Sequence, residues 1–214
     1  TWKYEESSQI NSRGTGRWMK LMLNKQTPPK LFFHAMGDIG DSRVVLFGGV
    51  STSFATDMND KTWLLGSDSE WFLVPLQTSP TAPSGRVWHQ MATLESSNDP
   101  LIRTVIMFGG NTESQGSVRG TFAFIQRTTV LPFGGSLVDY YWEQLVDDNG
   151  RSPSGALVVC PESRAGHAMT SLGPETEAIL LFGGCNINNA DQQCDPGSLY
   201  KQTWLFTMSG GGGG

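Results

Sequence analysis

An all-β chain built from repeated antiparallel units is predicted by three observations. An apolar run closed by a glycine pair occurs three times: Val44-Val45-Leu46-Phe47-Gly48-Gly49, Val105-Ile106-Met107-Phe108-Gly109-Gly110 and Ile179-Leu180-Leu181-Phe182-Gly183-Gly184. A histidine segment precedes each run: His34-Ala35-Met36, His89-Gln90-Met91 and His167-Ala168-Met169. A threonine–aromatic pair follows each: Thr62-Trp63, Thr121-Phe122 and Thr203-Trp204. Four large apolar residues in a row read as a strand buried on both faces. The glycines then let the chain turn through positive φ, where a larger residue would clash. A pattern written three times is a repeat, and the repeat must be read before any residue in it.

Taken in order, the chain opens on a fourth pair, Thr1-Trp2, followed by Trp18. Trp71 follows Thr62-Trp63 in the same way, and Trp142 follows Thr121-Phe122. One unit therefore reads as a strand with His, a strand ending in Gly-Gly, a strand with Thr-Trp, a strand with Trp, and a loop with proline. On this reading, residues 1–30 hold the last two strands of a unit, 31–85 and 86–163 hold four each, and 164–209 hold three. Residues 210–214 are all glycine and are expected to form a flexible tail. Four short antiparallel strands per repeated unit are the make-up of a propeller blade. The units are longer than the ~50 residues typical of one propeller repeat, and the excess is assigned to loops, which tolerate length cheaply.

The apolar-Gly-Gly strands, the tryptophans and the segments Arg86-Val87-Trp88-His89 and Arg164-Ala165-Gly166-His167 together resemble the kelch repeat, from Thr1 to about Met208. The chain departs from the pattern at Leu31, where the later units have arginine, and at Phe122, where the others have tryptophan. The resemblance implies a kelch-type β-propeller segment of a little over three four-stranded blades. About four to eight blades are needed to close a ring. The expectation is therefore part of a larger closed ring, or a half-ring completed by another subunit.

The resemblance implies shape more strongly than activity. Kelch propellers mostly serve as binding platforms, so the expected function is a non-catalytic scaffold holding a protein partner or a neighbouring subunit. The alternative is an extracellular carbohydrate-binding or carbohydrate-oxidising kelch-fold protein with a glycan as partner. Galactose-oxidase-like members use a Tyr–Cys–His copper site. Here Tyr4, Tyr140, Tyr141, Tyr200 and the repeat-locked histidines suggest no such cluster, and no cofactor or metal is expected.

Composition narrows the classes further. Charged residues make up 16% of the chain, below the ~25% of ordinary domains, and there are 26 glycines. Both suit a β protein rich in tight turns. A net charge of −5 gives no general attraction to nucleic acid or anionic membranes. No run of about 18 apolar residues is present, so no membrane-inserted helix is expected. Phosphate-loop, dinucleotide, serine-hydrolase, metalloprotease and Cys-x-x-Cys signatures are all missing.

Alternate turns of antiparallel strands share a face. The loops after each Gly-Gly (50–60, 111–119, 185–200) should lie together with the connections 22–30, 76–85 and 147–163. Long loops on a rigid scaffold are where binding residues usually sit. The candidates there are Asn111, Glu113, Asn186, Asn188 and Asp191, with Trp88, whose counterparts are Phe33 and Gly166. The opposite face has a long loop of its own near 127–140.

All three cysteines fall on the favoured face. Three pairings of Cys160, Cys185 and Cys194 are possible, and Cys185–Cys194 is the shortest closure. A disulfide would indicate an extracellular or lumenal setting, and three free thiols a cytoplasmic one. His34, His89 and His167 recur in one slot. That pattern suits a packing imidazole bonded to neighbouring backbone better than a catalytic one. The tryptophans at the Trp63 and Trp204 position, and at the Trp71 and Trp142 position, read as packing for the same reason. Arg86 and Arg164 are expected to bond carbonyls or acids between units, or else to form a basic ring for an acidic peptide.

Overall fold

The computed structural model describes residues 1–5, 17–23, 25–52, 57–75, 81–95, 99–187 and 193–208. Asn188, Asp191 and the 210–214 tail lie outside the described residues. Within them the chain is all-β, with no helix. In chain order the strands are β1 (Trp2–Glu5), β2 (Arg17–Lys20), β3 (Phe32–Gly40), β4 (Arg43–Val50), β5 (Thr62–Leu65) and β6 (Trp71–Leu73). Then come β7 (Arg86–Val87), β8 (Gln90–Leu94), β9 (Ile102–Phe108), β10 (Asn111–Thr112), β11 (Gly116–Ser117), β12 (Thr121–Val130) and β13 (Ser136–Val146). Last are β14 (Ala168–Ser171), β15 (Ala178–Phe182), β16 (Cys185–Ile187), β17 (Cys194–Leu199) and β18 (Thr203–Thr207).

Three antiparallel sheets carry the repeat. The first runs β3-β4-β5-β6, the second β8-β9-β12-β13 and the third β14-β15-β18. A hairpin of β1 and β2 precedes them. Each apolar run becomes the second strand of its sheet. The burial is deepest in β4, where Val45, Phe47 and Val50 are fully inaccessible. The short strands β10 and β11 lie in the loop joining β9 to β12, β16 and β17 in the loop joining β15 to β18, and β7 on the connection from the first sheet to the second.

The stretch 127–140, expected to be a loop, is mostly strand. There β12 and β13 pair from Thr121 to Val146, with Val130 opposite Ser136 across a turn at 131–135. The β-branched run Thr128-Thr129-Val130 and the Leu137-Val138 pair favour extended chain on both sides of that glycine-bearing turn.

The core lies between successive sheets. Ala35, Val45, Phe47 and Leu64 of the first sheet cluster with Met91, Val105, Met107, Phe124 and Trp142 of the second. Ala92, Ile106, Ala123 and Ile125 of the second pack with Ile179, Met169 and Phe206 of the third. Each fully buried large apolar side chain contributes roughly 1.5–3 kcal/mol, so these contacts bind sheet to sheet. The first strands also lie side by side, β3 against β8 and β8 against β14.

Candidate functional site

The repeated residues form an interlock that holds the loops in place. All six paired glycines have positive φ, from 63° to 97°. The first glycine of a pair receives the next sheet's histidine. A Cβ on Gly48 would stand 2.4 Å from Cε1 of His89 and 2.5 Å from the Arg86 carbonyl oxygen. Gly109 faces His167 and the Arg164 carbonyl in the same way. The second glycine lies against its own sheet's histidine, as Gly49 does against His34. The phenylalanine before the pair then meets the incoming imidazole edge-on, Phe47 at 5.8 Å from His89 and Phe108 at 5.4 Å from His167.

The residue before each histidine is held at left-handed φ: Phe33 at 58°, Trp88 at 56° and Gly166 at 66°. This conformation lets equivalent residues bond across sheets. The Trp88 amide donates to the Phe33 carbonyl at 3.2 Å, and the Gly166 amide donates to the Trp88 carbonyl at 2.9 Å. Trp88 is therefore part of the sheet-to-sheet ladder. Its ring lies 5.0 Å from that of Phe33 and packs on the small cluster of Ala165, Cys185 and Ile187.

Burial dominates the electrostatics of the histidines. Desolvation holds His89 well below the usual imidazole range, assisted by the nearby Arg86 guanidinium, while the Phe47 carbonyl pulls weakly the other way. Burial brings His167 down to about 3, again with Arg164 assisting and the Phe108 carbonyl opposing. His34 is lowered by burial too. The Phe47 and Phe108 carbonyls face these rings as the anticipated backbone partners, but neither ring nitrogen of His89 or His167 reaches ideal hydrogen-bond geometry among the described residues. These imidazoles are held neutral by burial first and by the adjacent guanidinium charges second. Dry, neutral rings locked in place make poor proton carriers.

Arg86 and Arg164 bond both across the unit boundary, to Ser84 and to Glu162, and within their own units. Each is fully buried and donates to the carbonyl of its own first glycine, Arg86 to Gly109 at 3.1 Å and Arg164 to Gly183 at 2.9 Å. Arg86 is paired with Asp148 and lies 5.0 Å from the Phe122 ring. Arg164 is paired with Glu162 and also reaches Gln202 and the Tyr200 ring. Burial lowers both guanidinium pKa values, and the acids oppose it.

Anchored on this frame, the loops after Gly-Gly close at one shared atom. The carbonyl of the second glycine accepts the amide of Asn59, Val118 or Tyr200 at 2.8–2.9 Å, although the loops differ in length. Adjacent loops are then tied laterally. The Met58 amide donates to Glu113 Oε1 at 3.1 Å, and the Ile187 amide donates to Ser117 Oγ at 2.8 Å. Cys185 and Cys194 form a disulfide across the third loop, while Cys160 is free. Such a bridge forms and persists in an oxidising compartment.

The sequence candidates are thus partly brought together. Glu113 and Asn186 are exposed on adjacent loops. Asn111 is fully buried beneath its loop, and its carboxamide has no protein partner among the described residues. Sequence reasoning missed Ser117 and Met58 as ties, because neither belongs to a repeated motif. Among the described residues no three His, Cys, Asp or Glu side chains converge as a metal site.

No family model matches the chain, and no curated protein matches it. Among solved structures, similarity is found to a chain of the cryo-EM structure of RAG in complex with one melted RSS and one unmelted RSS. Identity is 16% and the TM-score 0.46, over 82% of this chain and 49% of that one. The chain spans about half the length of that relative, and a likeness of this degree assigns neither family nor activity.

Proposed function

We propose that this chain is a kelch-type propeller segment working as a non-catalytic protein-interaction scaffold. The partner docks on the rim formed by the loops after each Gly-Gly. One observation carries the reading: loops of unequal length and unrelated sequence are pinned at the same glycine carbonyl and tied to one another. Such a rim is preorganised, so a partner would meet a surface whose ordering cost is already met. The disulfide holding the polar third loop favours an extracellular or lumenal setting.

The test is reconstitution with a purified protein partner, comparing the wild-type chain with Gln115→Arg and Asn186→Arg, both at exposed rim positions. Loss of binding with unchanged thermal unfolding supports the rim. Undiminished binding refutes it, and bound copper with sugar oxidation would replace the scaffold reading with the enzymatic alternative.

A further inference from the structure

Strands β12 and β13 outrun the sheet that holds them. Strand β9 pairs with β12 only as far as Arg127, and the Thr128 amide then donates to the Leu101 carbonyl at 2.8 Å. From there to the turn at 131–135, β12 and β13 pair only with each other among the described residues, through Thr128–Val138, Thr129–Leu137 and Val130–Ser136. This free ribbon is apolar on every side. Successive side chains alternate between its faces, so Val130 and Val138 share one face and Leu137 takes the other. Leu131 and Phe133 stand at the turn. All five are exposed, and Phe133 completely so. No charged residue occurs from Thr128 to Val138, and the first charges, Arg127 and Asp139, stand opposite each other.

We propose that this hairpin is a membrane-contact element, seated tip-first in the interface of a zwitterionic lipid bilayer. A contiguous exposed apolar patch marks a contact site. A groove on another protein covers one face of a ribbon, whereas apolar groups on both faces and the tip match a medium that surrounds it. The height fits as well. At about 3.4 Å per residue, the Val130–Ser136 pair stands roughly 10 Å beyond Arg127 and Asp139. Interfacial elements reach about 5–10 Å into the headgroup and acyl boundary. The ribbon's unpaired outer amides and carbonyls, and then the two charges, stop deeper entry. Charge selects the lipid. The neighbouring turns expose Glu95, Asp99 and Glu175, and Arg43 and Arg103 are both paired with Asp41. Anionic headgroups are therefore disfavoured. The hairpin lies at the opposite end of the strands from the loop rim and does not depend on it.

Flotation of the intact protein with phosphatidylcholine vesicles tests this, beside vesicles containing phosphatidylserine. The expected result is binding to the neutral vesicles that persists at raised salt. Phe133→Ser should bind at least ten-fold more weakly, the loss expected for one apolar ring no longer buried. Phe133→Trp should bind at least as tightly as the parent, and its added emission should shift to the blue on vesicles. Urea unfolding of both variants should match the parent, because this side chain is fully exposed. Absence of flotation, or equal binding by Phe133→Ser, overturns the proposal. So does binding confined to phosphatidylserine vesicles and lost at raised salt. Self-association without flotation, lost in Phe133→Ser, would instead give the hairpin to a second copy and overturn it too. None of these failures touches the loop rim, whose test uses Gln115 and Asn186.

Discussion

The two interfaces between successive sheets are written with the same residues and finished differently. Between the first and second sheets, His89 fills the space over Gly48 and Trp142 fills the space beside Phe47 and Thr62. Between the second and third, His167 fills the space over Gly109, yet the tryptophan space beside Phe108 and Thr121 is open. The inner half of an interface thus closes without the outer half. Histidine and glycine set how sheets stack, and the tryptophan strand seals the outer edge. In the third sheet, which has no following sheet among the described residues, Phe182 is 52% exposed, and only Tyr200 O approaches Gly183, at 3.7 Å.

The largest expected difference lies in the tryptophans. Trp142→Ala should cost about 3–5 kcal/mol, as for other buried aromatics. Trp204→Ala, at a half-buried position on the unfinished edge, should cost about half as much or less. Urea unfolding measures both, and equal losses would break the comparison.

Next come the arginine pairs. Asp148 is 17% exposed beside a fully buried guanidinium, and removing it strands that charge, so Asp148→Ala should cost about 3 kcal/mol. Glu162 is 53% exposed, and Arg164 keeps Gln202 and the Gly183 carbonyl, so Glu162→Ala should cost under about 1 kcal/mol. Paired urea midpoints decide this too.

The smallest and most diagnostic effect is that of pH. His89 and His167 are depressed in the folded chain, whereas an unfolded imidazole titrates near ~6.5. As pH falls below that value the unfolded state binds protons first, so stability held above it is lost as pH drops towards about 3. Between pH 7 and 5, each buried ring should contribute a slope of up to about 1.4 kcal/mol per unit. His167→Asn should flatten the profile, while His34→Asn, at a half-buried ring on the open side, should change it less. Identical profiles for all three proteins would remove the buried-histidine account.

Much of this was legible in the sequence, for a physical reason. The strands stand where the motifs put them because four apolar residues followed by two glycines permit few other structures. Paired cysteines bracketing a polar loop gave the right bridge. The arginines bond across the unit boundary as expected from the sequence, to Ser84 and to Glu162, but a guanidinium reaches several carbonyls, and only geometry adds Gly109 and Gly183. Asn111 looked like a loop binder and is buried, since the residue after Gly-Gly points inward, as Val50 and Cys185 also do. The ties through Glu113 and Ser117 were illegible because unrepeated loop residues carry no periodic signal. The missing fourth strand of the last unit, by contrast, is legible in the sequence, since residues 164–209 hold no tryptophan after Trp204.

The central claim is that the first glycine of each pair exists to admit the next sheet's histidine, and Gly48→Ala beside Gly183→Ala tests it most directly. Both alanines bear the left-handed cost of about 1–2 kcal/mol, since φ is 71° and 75°. Only the first also drives a Cβ into His89 and the Arg86 carbonyl, adding about 1–3 kcal/mol. Urea unfolding should place Gly48→Ala roughly 2 kcal/mol below Gly183→Ala. Equal destabilisation would mean that the glycines serve the turn alone, and the interlock would be wrong.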